Sequence, residues 1–187
     1  MNTYLVAGLG NKDREYAGTR HNIGFHIVDT LASELGVEFE ESKKIDSQLA
    51  EAKLNGRRLI IIKPNTYVNK SGEAVGKALK FYKIAPARLT VVHDDLDISV
   101  GSYKASFDRN SAGHKGVESV IRYLKTKKFQ RLRIGIASPA LKKARSHRSP
   151  DKKRNAVADF VLSRFTPSER SKVETIMPDI LRKLQDL

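Results

Sequence analysis

Cysteine and tryptophan are absent from the 187 residues of this chain, and methionine occurs only twice. The missing thiols exclude a disulfide framework, a cysteine nucleophile and a thiolate-ligated metal, and they suit a reducing compartment. No apolar run approaches the ~20 residues that a membrane-spanning helix requires. Residues 1–6 lack the basic region and hydrophobic stretch of a secretory signal. Acidic residues are outnumbered, 21 against 35 Lys and Arg, which leaves a net charge of +14. The expectation is a cytoplasmic protein with no membrane association and an anionic partner.

The length fits a single domain over residues 1–187 with a sizeable core, and a hydrophobic content of 40% is that of an ordinary globular protein. The positive charge is concentrated. Residues 122–154 hold thirteen Lys or Arg and one acid, Asp151, and so carry twelve of the fourteen net charges. Solubility alone would intersperse both signs. A block of one sign points to phosphate or nucleic acid, and the competing interpretation is a solvated basic loop.

Tyr4-Leu5-Val6-Ala7 reads as a buried strand entering the turn Gly8-Leu9-Gly10-Asn11. A dinucleotide-binding turn would need a third glycine where Asp13 stands, so that reading fails. Ile23, Ile27, Leu31 and Leu35 step by four, predicting a core-facing helix over 22–35, capped by Asn22 and closed by Gly36. Asn55-Gly56 predicts a hairpin turn within 48–63. Its second strand, Leu59-Ile60-Ile61-Ile62, is apolar throughout and therefore interior to a sheet. Further strands are expected at 89–93, 102–107 and 131–137, and helices at 73–82 and 117–125. Residues 138–154, with two prolines and little apolar content, are expected to form a basic surface loop. Thr166-Pro167-Ser168-Glu169 is a capping box opening a last helix that Pro178 should kink or interrupt. Strands alternating with helices around one hairpin predict an α/β fold, a single-domain mixed twisted β-sheet flanked by helices.

Ligands of such sheets gather beyond the carboxyl ends of strands, and Asn11, Asn69 and Asp94 are each expected just past one. The stretch Glu15-Tyr16-Ala17-Gly18-Thr19-Arg20-His21-Asn22 adds an imidazole, a guanidinium and a phenol. His21 titrates closest to neutral pH and is the candidate general base. Asp94 can accept its other ring N–H, while Asn11 and Asn69 can hold a carbonyl, an oxyanion or the attacking water. This set suits direct hydrolysis of an activated carbonyl such as an ester. Two other readings stand beside it. His93-Asp94-Asp95-Leu96-Asp97 offers oxygen ligands for Mg²⁺ or Mn²⁺, although neighbouring residues at a strand end point to opposite sides. The same residues also serve as caps and turns in a purely structural loop.

Five groups of residues occur in order: Gly8-Leu9-Gly10-Asn11; Glu15-Tyr16 with Thr19-Arg20-His21-Asn22-Ile23-Gly24-Phe25; Lys63-Pro64 with Thr66-Tyr67-Val68-Asn69 and Ser71-Gly72; His93-Asp94-Asp95-Leu96-Asp97; and Arg131-Leu132-Arg133-Ile134-Gly135-Ile136. Together they resemble the bacterial-type peptidyl-tRNA hydrolase family over residues 4–165. The resemblance implies a phosphorylase/hydrolase-like fold and cleavage of the ester between a stalled peptide and the tRNA 3′ end. It implies no metal or other cofactor and no obligate protein partner; a monomer is expected. By this resemblance His21 is the general base, Asp94 orients it, and Asn11 distinguishes a blocked amino acid from a free one. Tyr16, Tyr67 and Asn69 match positions lining the 3′-terminal site, and Arg133 a clamp on the tRNA 5′ phosphate.

The chain departs from the family in the loop that carries His114 and Lys115, both candidate substrate-binding residues. Lys115 stands where the family has an asparagine that bonds the substrate or its water, and lysine is a longer cation with no acceptor. Val68 replaces a usual methionine, and Ser106 takes a place often held by a phosphate-binding lysine, with Lys104 nearby. Residues 142–154 are longer and more basic than usual and are expected to supplement the grip on the acceptor stem. The alternatives to the enzyme are a catalytically weakened RNA-binding relative and a small-molecule hydrolase on the same scaffold, the latter disfavoured by the basic block.

Overall fold

Leu5, Val6 and Ala7 are fully buried in succession, which demands cover on both faces of the strand that carries them. The computed structural model, which describes residues 2–187, provides it. Strand β1 (Thr3–Gly8) lies between β4 (Arg57–Pro64) and β5 (Leu89–Ser99), parallel to both. β7 (Gln130–Ala137) extends the parallel set beside β5. Antiparallel strands β2 (Glu40–Ser42), β3 (Ser47–Leu54) and β6 (Tyr103–Phe107) complete the two edges. The order is β2-β3-β4-β1-β5-β7-β6. Val6 and Val92 point to a face covered by α1 (Ile23–Glu34) and α6 (Pro167–Gln185). Leu5, Ala7 and Val91 point to the other, under α2 (Ser71–Tyr82) and α3 (Lys115–Leu124). This is the mixed sheet flanked by helices that the periodicity predicts. Among the described residues, no helix is long and apolar enough to cross a membrane.

Alternation along β5 fixes where its polar end points. Asp94 leaves on the α1 side with Val92, whereas His93 and Asp95 leave on the α3 side with Val91. The start of α1 is pressed onto the ends of β1 and β5. A Cβ on Gly24 would lie 2.4 Å from the Val92 carbonyl oxygen and 2.5 Å from that of Leu9. Only glycine allows that approach, and it carries the residues preceding α1 to the carboxyl edge of the sheet.

Three expectations are corrected and a fourth is narrowed. Residues 138–154 are mostly helical rather than a loop: they make α4 (Pro139–Arg145) and the first part of α5 (Pro150–Leu162), joined by a short turn at 146–149. Each begins with proline behind a serine, where the missing N–H is harmless. Leu141 and Phe160 then find a tertiary partner in Ile136 that sequence periodicity does not reveal. Residues 94–97 are not past the strand: β5 continues to Ser99 because β7 pairs with it through Asp95 and again at Ser99. Asn22 makes no side-chain cap for α1, being engaged elsewhere. Helix α6 runs through Pro178 uninterrupted. That proline is exposed, while Val173, Met177, Ile180 and Leu184 hold both halves of the helix to the sheet.

Gly24→Ala should destabilise the protein by about 3 kcal/mol through overpacking against two backbone carbonyls. Urea unfolding checks this, and a change within experimental error would show that α1 can lift without cost.

Candidate active site

His21 lies in a 3-10 turn, Arg20–Asn22, that leads into α1. The residues on either side of it are buried anchors. Asn22 Oδ1 accepts the Asn11 backbone N–H at 2.9 Å, and Asn22 Nδ2 donates to the Asn11 carbonyl at 2.9 Å. Asn11 Oδ1 accepts the Val68 N–H at 2.9 Å, which attaches the loop after β4 to the loop after β1. Arg20, only 3% exposed, reaches back to the segment between α5 and α6. The side chain of His21 is thus held from both sides at the sheet edge.

His21 Nδ1 lies 2.8 Å from Asp94 Oδ1, and His114 Nε2 lies 2.9 Å from the same oxygen. A carboxylate only accepts, so each imidazole donates an N–H to it. The His114 tautomer is fixed independently. Its Nδ1 accepts the Val117 N–H at 3.2 Å as the N-cap of α3, so its proton sits on Nε2. His21 with Nδ1–H leaves its Nε2 lone pair free. The His93 ring packs edge-on against that of His114 at 4.6 Å, and its Nδ1 bonds the Asp94 carbonyl at 2.7 Å.

The electrostatics follow from this arrangement. Burial opposes charge on His21, but the Asp94 carboxylate outweighs it by charge and hydrogen bond, so the imidazole pKa is raised; the Lys115 ammonium pulls the other way. Burial likewise works against the ionised Asp94, yet His21 and His114 more than compensate and hold its carboxyl well below the ordinary range. Burial, reinforced by His114, drives the His93 pKa well down and keeps that ring neutral.

His21 Nδ1, Asp94 Oδ1 and His114 Nε2 lie within 4.8 Å of one another, a spacing that a divalent metal can also use. The donor set does not fit one well. To ligate, His114 Nε2 must lose its proton to Nδ1, which would then meet the Val117 N–H and break the cap of α3. Of the run from His93 to Asp97, only Asp94 joins this group.

The other candidates fall at different distances from this centre. Asn11 is buried, and Asn69 is exposed in the 3-10 turn Val68–Lys70. Tyr67 is 46% exposed; the nearby carboxylate of Asp13, with smaller contributions from Tyr16 and Glu15, raises its phenol pKa. Tyr16 ends the turn Arg14–Tyr16, and Glu15 raises its pKa in the same sense. Lys115 is exposed at the first residue of α3, close enough for its charge to act on His21. Arg133 stands apart on the α3 side of the sheet, its Nε 2.8 Å from Asp95 Oδ2. Sequence reasoning placed Arg20 and Asn22 in the stretch around His21, and His93 in a candidate metal run, without assigning the anchoring and packing roles they have; their membership of those motifs was the signal. The side chains at the centre are largely covered, His21 being 13% exposed, His114 9% and Asp94 4%. A cavity of about 460 Å³ lies elsewhere, lined by Thr90, Tyr103, Arg131 and Arg182 among others, and includes none of these groups.

The family model described as peptidyl-tRNA hydrolase matches residues 5–187. A Mycobacterium tuberculosis (strain H37Rv) protein named peptidyl-tRNA hydrolase is 44% identical over 172 residues, covering 92% of this chain and 84% of that relative. One of that name from Lactiplantibacillus plantarum is 40% identical over 170 residues, covering 91% and 84%. The crystal structure of peptidyl-tRNA hydrolase from Acinetobacter baumannii superposes with a TM-score of 0.86 at 32% identity, covering 98% of this chain and 87% of that one.

Asp94→Asn removes the charge that raises the His21 pKa and leaves burial and Lys115, both of which lower it. The His21 titration followed by proton NMR should therefore move to lower pH. Movement to higher pH would contradict the assigned coupling.

Proposed function

The chain belongs to the peptidyl-tRNA hydrolase family, and from that premise we propose that it hydrolyses the ester joining the peptide to the 3′ end of tRNA in peptidyl-tRNA, with His21 as general base. The observation that carries the proposal is the His21–Asp94 hydrogen bond of 2.8 Å, which leaves Nε2 as the free basic atom at the carboxyl edge of the sheet. Water gives a proton to Nε2 as its oxygen attacks the ester carbonyl, and Asp94 stabilises the imidazolium. As the tetrahedral intermediate collapses, the ester C–O bond breaks and His21 returns the proton to the departing ribose oxygen. The products are a peptide carboxylate and a tRNA with a free terminal hydroxyl.

Asn11 contributes through what it has left to offer. Its Oδ1 is occupied by the Val68 N–H, so only its NH2 faces substrate. A donor accepts a carbonyl oxygen as partner and repels an ammonium, which favours N-blocked amino acids. Asn69 holds the water or oxyanion. Tyr16 and Tyr67 present rings on which 3′-terminal bases stack, and His114 orients Asp94 from the far side. Lys115 and Arg133 take phosphate. A cation at the start of a helix opposes the helix dipole, so the place of Lys115 is better accounted for by substrate than by stability. The α4–α5 pair grips the acceptor stem. The protein acts on tRNA in the cytoplasm as a single-domain monomer, without metal. Lys115, in place of an amide, is the single feature favouring the alternative, a catalytically weakened RNA-binding relative.

Release of tRNA from N-blocked aminoacyl-tRNA, assayed in EDTA, decides between them. His21→Ala should lower turnover by about 10²–10⁴-fold, and turnover equal to the unaltered protein would sink the proposal. Lys115→Asn should keep or raise the rate; a large fall would give the lysine a catalytic task of its own. Each phosphate contact removed by neutralising α4–α5 should reduce the salt slope of binding by about one unit.

A further inference from the structure

The two anchors of the His21 turn lead to different parts of the molecule. Asn22 leads to Asn11 and the central strand β1. Arg20 leads to the junction of α5 and α6. Its guanidinium donates to the Phe160 carbonyl at 3.5 Å, to Ser163 Oγ, to the Arg164 carbonyl at 2.9 Å and to the Glu169 carboxylate. It lies 4.3 Å from the centroid of the Phe160 ring and 5.5 Å from that of Phe165. The Arg20 N–H donates to the Ser163 carbonyl at 3.0 Å, and Thr19 bridges Arg164. Glu169 is the capping-box residue of α6. The His21 turn is therefore fastened directly to the end of α5.

Helices α4 and α5 pack through their own small cluster of Ile136, Leu141 and Phe160, separate from the two main cores. They also carry exposed Lys142, Lys143, Arg145, Lys152, Lys153 and Arg154. Stability alone does not require an arginine at position 20. Apolar side chains replacing both Arg20 and Glu169 would commonly match or exceed such a buried ion pair. What the guanidinium adds is direction, because its donors fix the distance between the His21 turn and the backbone of 160–164.

We propose that Arg20 is a positioning residue that transmits the placement of the basic α4–α5 pair to His21, so that seating acceptor-stem phosphates on those helices sets the base for attack. This rests on the peptidyl-tRNA hydrolase activity and on His21 as its base. A shift of about 1 Å in a reacting group is enough to change a rate by about a hundredfold.

The test measures kcat on two N-blocked substrates: full-length aminoacyl-tRNA, and the aminoacyl ester of a short 3′-terminal oligonucleotide too short to reach α4–α5. The unaltered protein should turn over full-length tRNA faster. Arg20→Lys should lower kcat on full-length tRNA by about tenfold or more with little change in KM, bringing the two substrates together. Replacing Lys142, Lys143 and Arg145 by Gln should reduce the same difference in the unaltered protein, and should reduce kcat no further when combined with Arg20→Lys. The proposal is overturned if Arg20→Lys lowers the Tm yet scales both substrates equally, or if the two sets of changes add. Should Arg20→Lys fail to fold, Ser163→Ala removes one acceptor of the guanidinium and is read by the same two outcomes. Retention of turnover by His21→Ala would refute the function on which this rests rather than the role of Arg20.

Discussion

One oxygen atom, Asp94 Oδ1, receives an N–H from each of two imidazoles. An ionised carboxylate this deeply buried is tolerable only with such partners. Both must be delivered to the end of one strand. His21 comes from the start of α1 on one face of the sheet, and His114 from the start of α3 on the other. The close seating of Gly24 on the Leu9 and Val92 carbonyls brings the first, and the Val117 cap holds the second in the tautomer that donates. The fold can be seen as the means of bringing two helix starts to one carboxylate.

How much of this was legible in the sequence depends on whether a residue's partner is local. The apolar runs of β1, β4 and β5 name their own environment, and the sheet follows from them. The Thr166 capping box is complete within four residues and was correctly placed. Asn22 obeyed a local rule on paper, but Asn11 competed for its amide and prevailed. The α4–α5 pair failed as a helix reading because Leu141 and Phe160 have too few apolar neighbours in sequence, and their partner Ile136 is on β7. His21 and Asp94 were recognisable as chemical types. That His114 shares the carboxylate depends on a tautomer that only the Val117 contact reveals.

Charge and chemistry are separated in this molecule. The groups bonded to Asp94 Oδ1 are imidazoles, and the buried Arg20 beside His21 is paired with Glu169, whereas exposed cations are dense on α4 and α5. Long-range attraction for a polyanion and short-range placement of a proton are thus left to different residues. Lys115 is an exposed charge that also acts on the base.

Alternation along β5, with Asp94 directed to His21 and Asp95 to Arg133, has a consequence for descent. A single insertion or deletion upstream of these residues within the strand would exchange the two carboxylates between faces and disconnect both partners at once. Such a strand can diverge by substitution but not by change of length. Helices α4 and α5, with a small cluster of their own, are under no such restriction. Lineages are free to lengthen, shorten or recharge them, and their differences in tRNA grip should accumulate there.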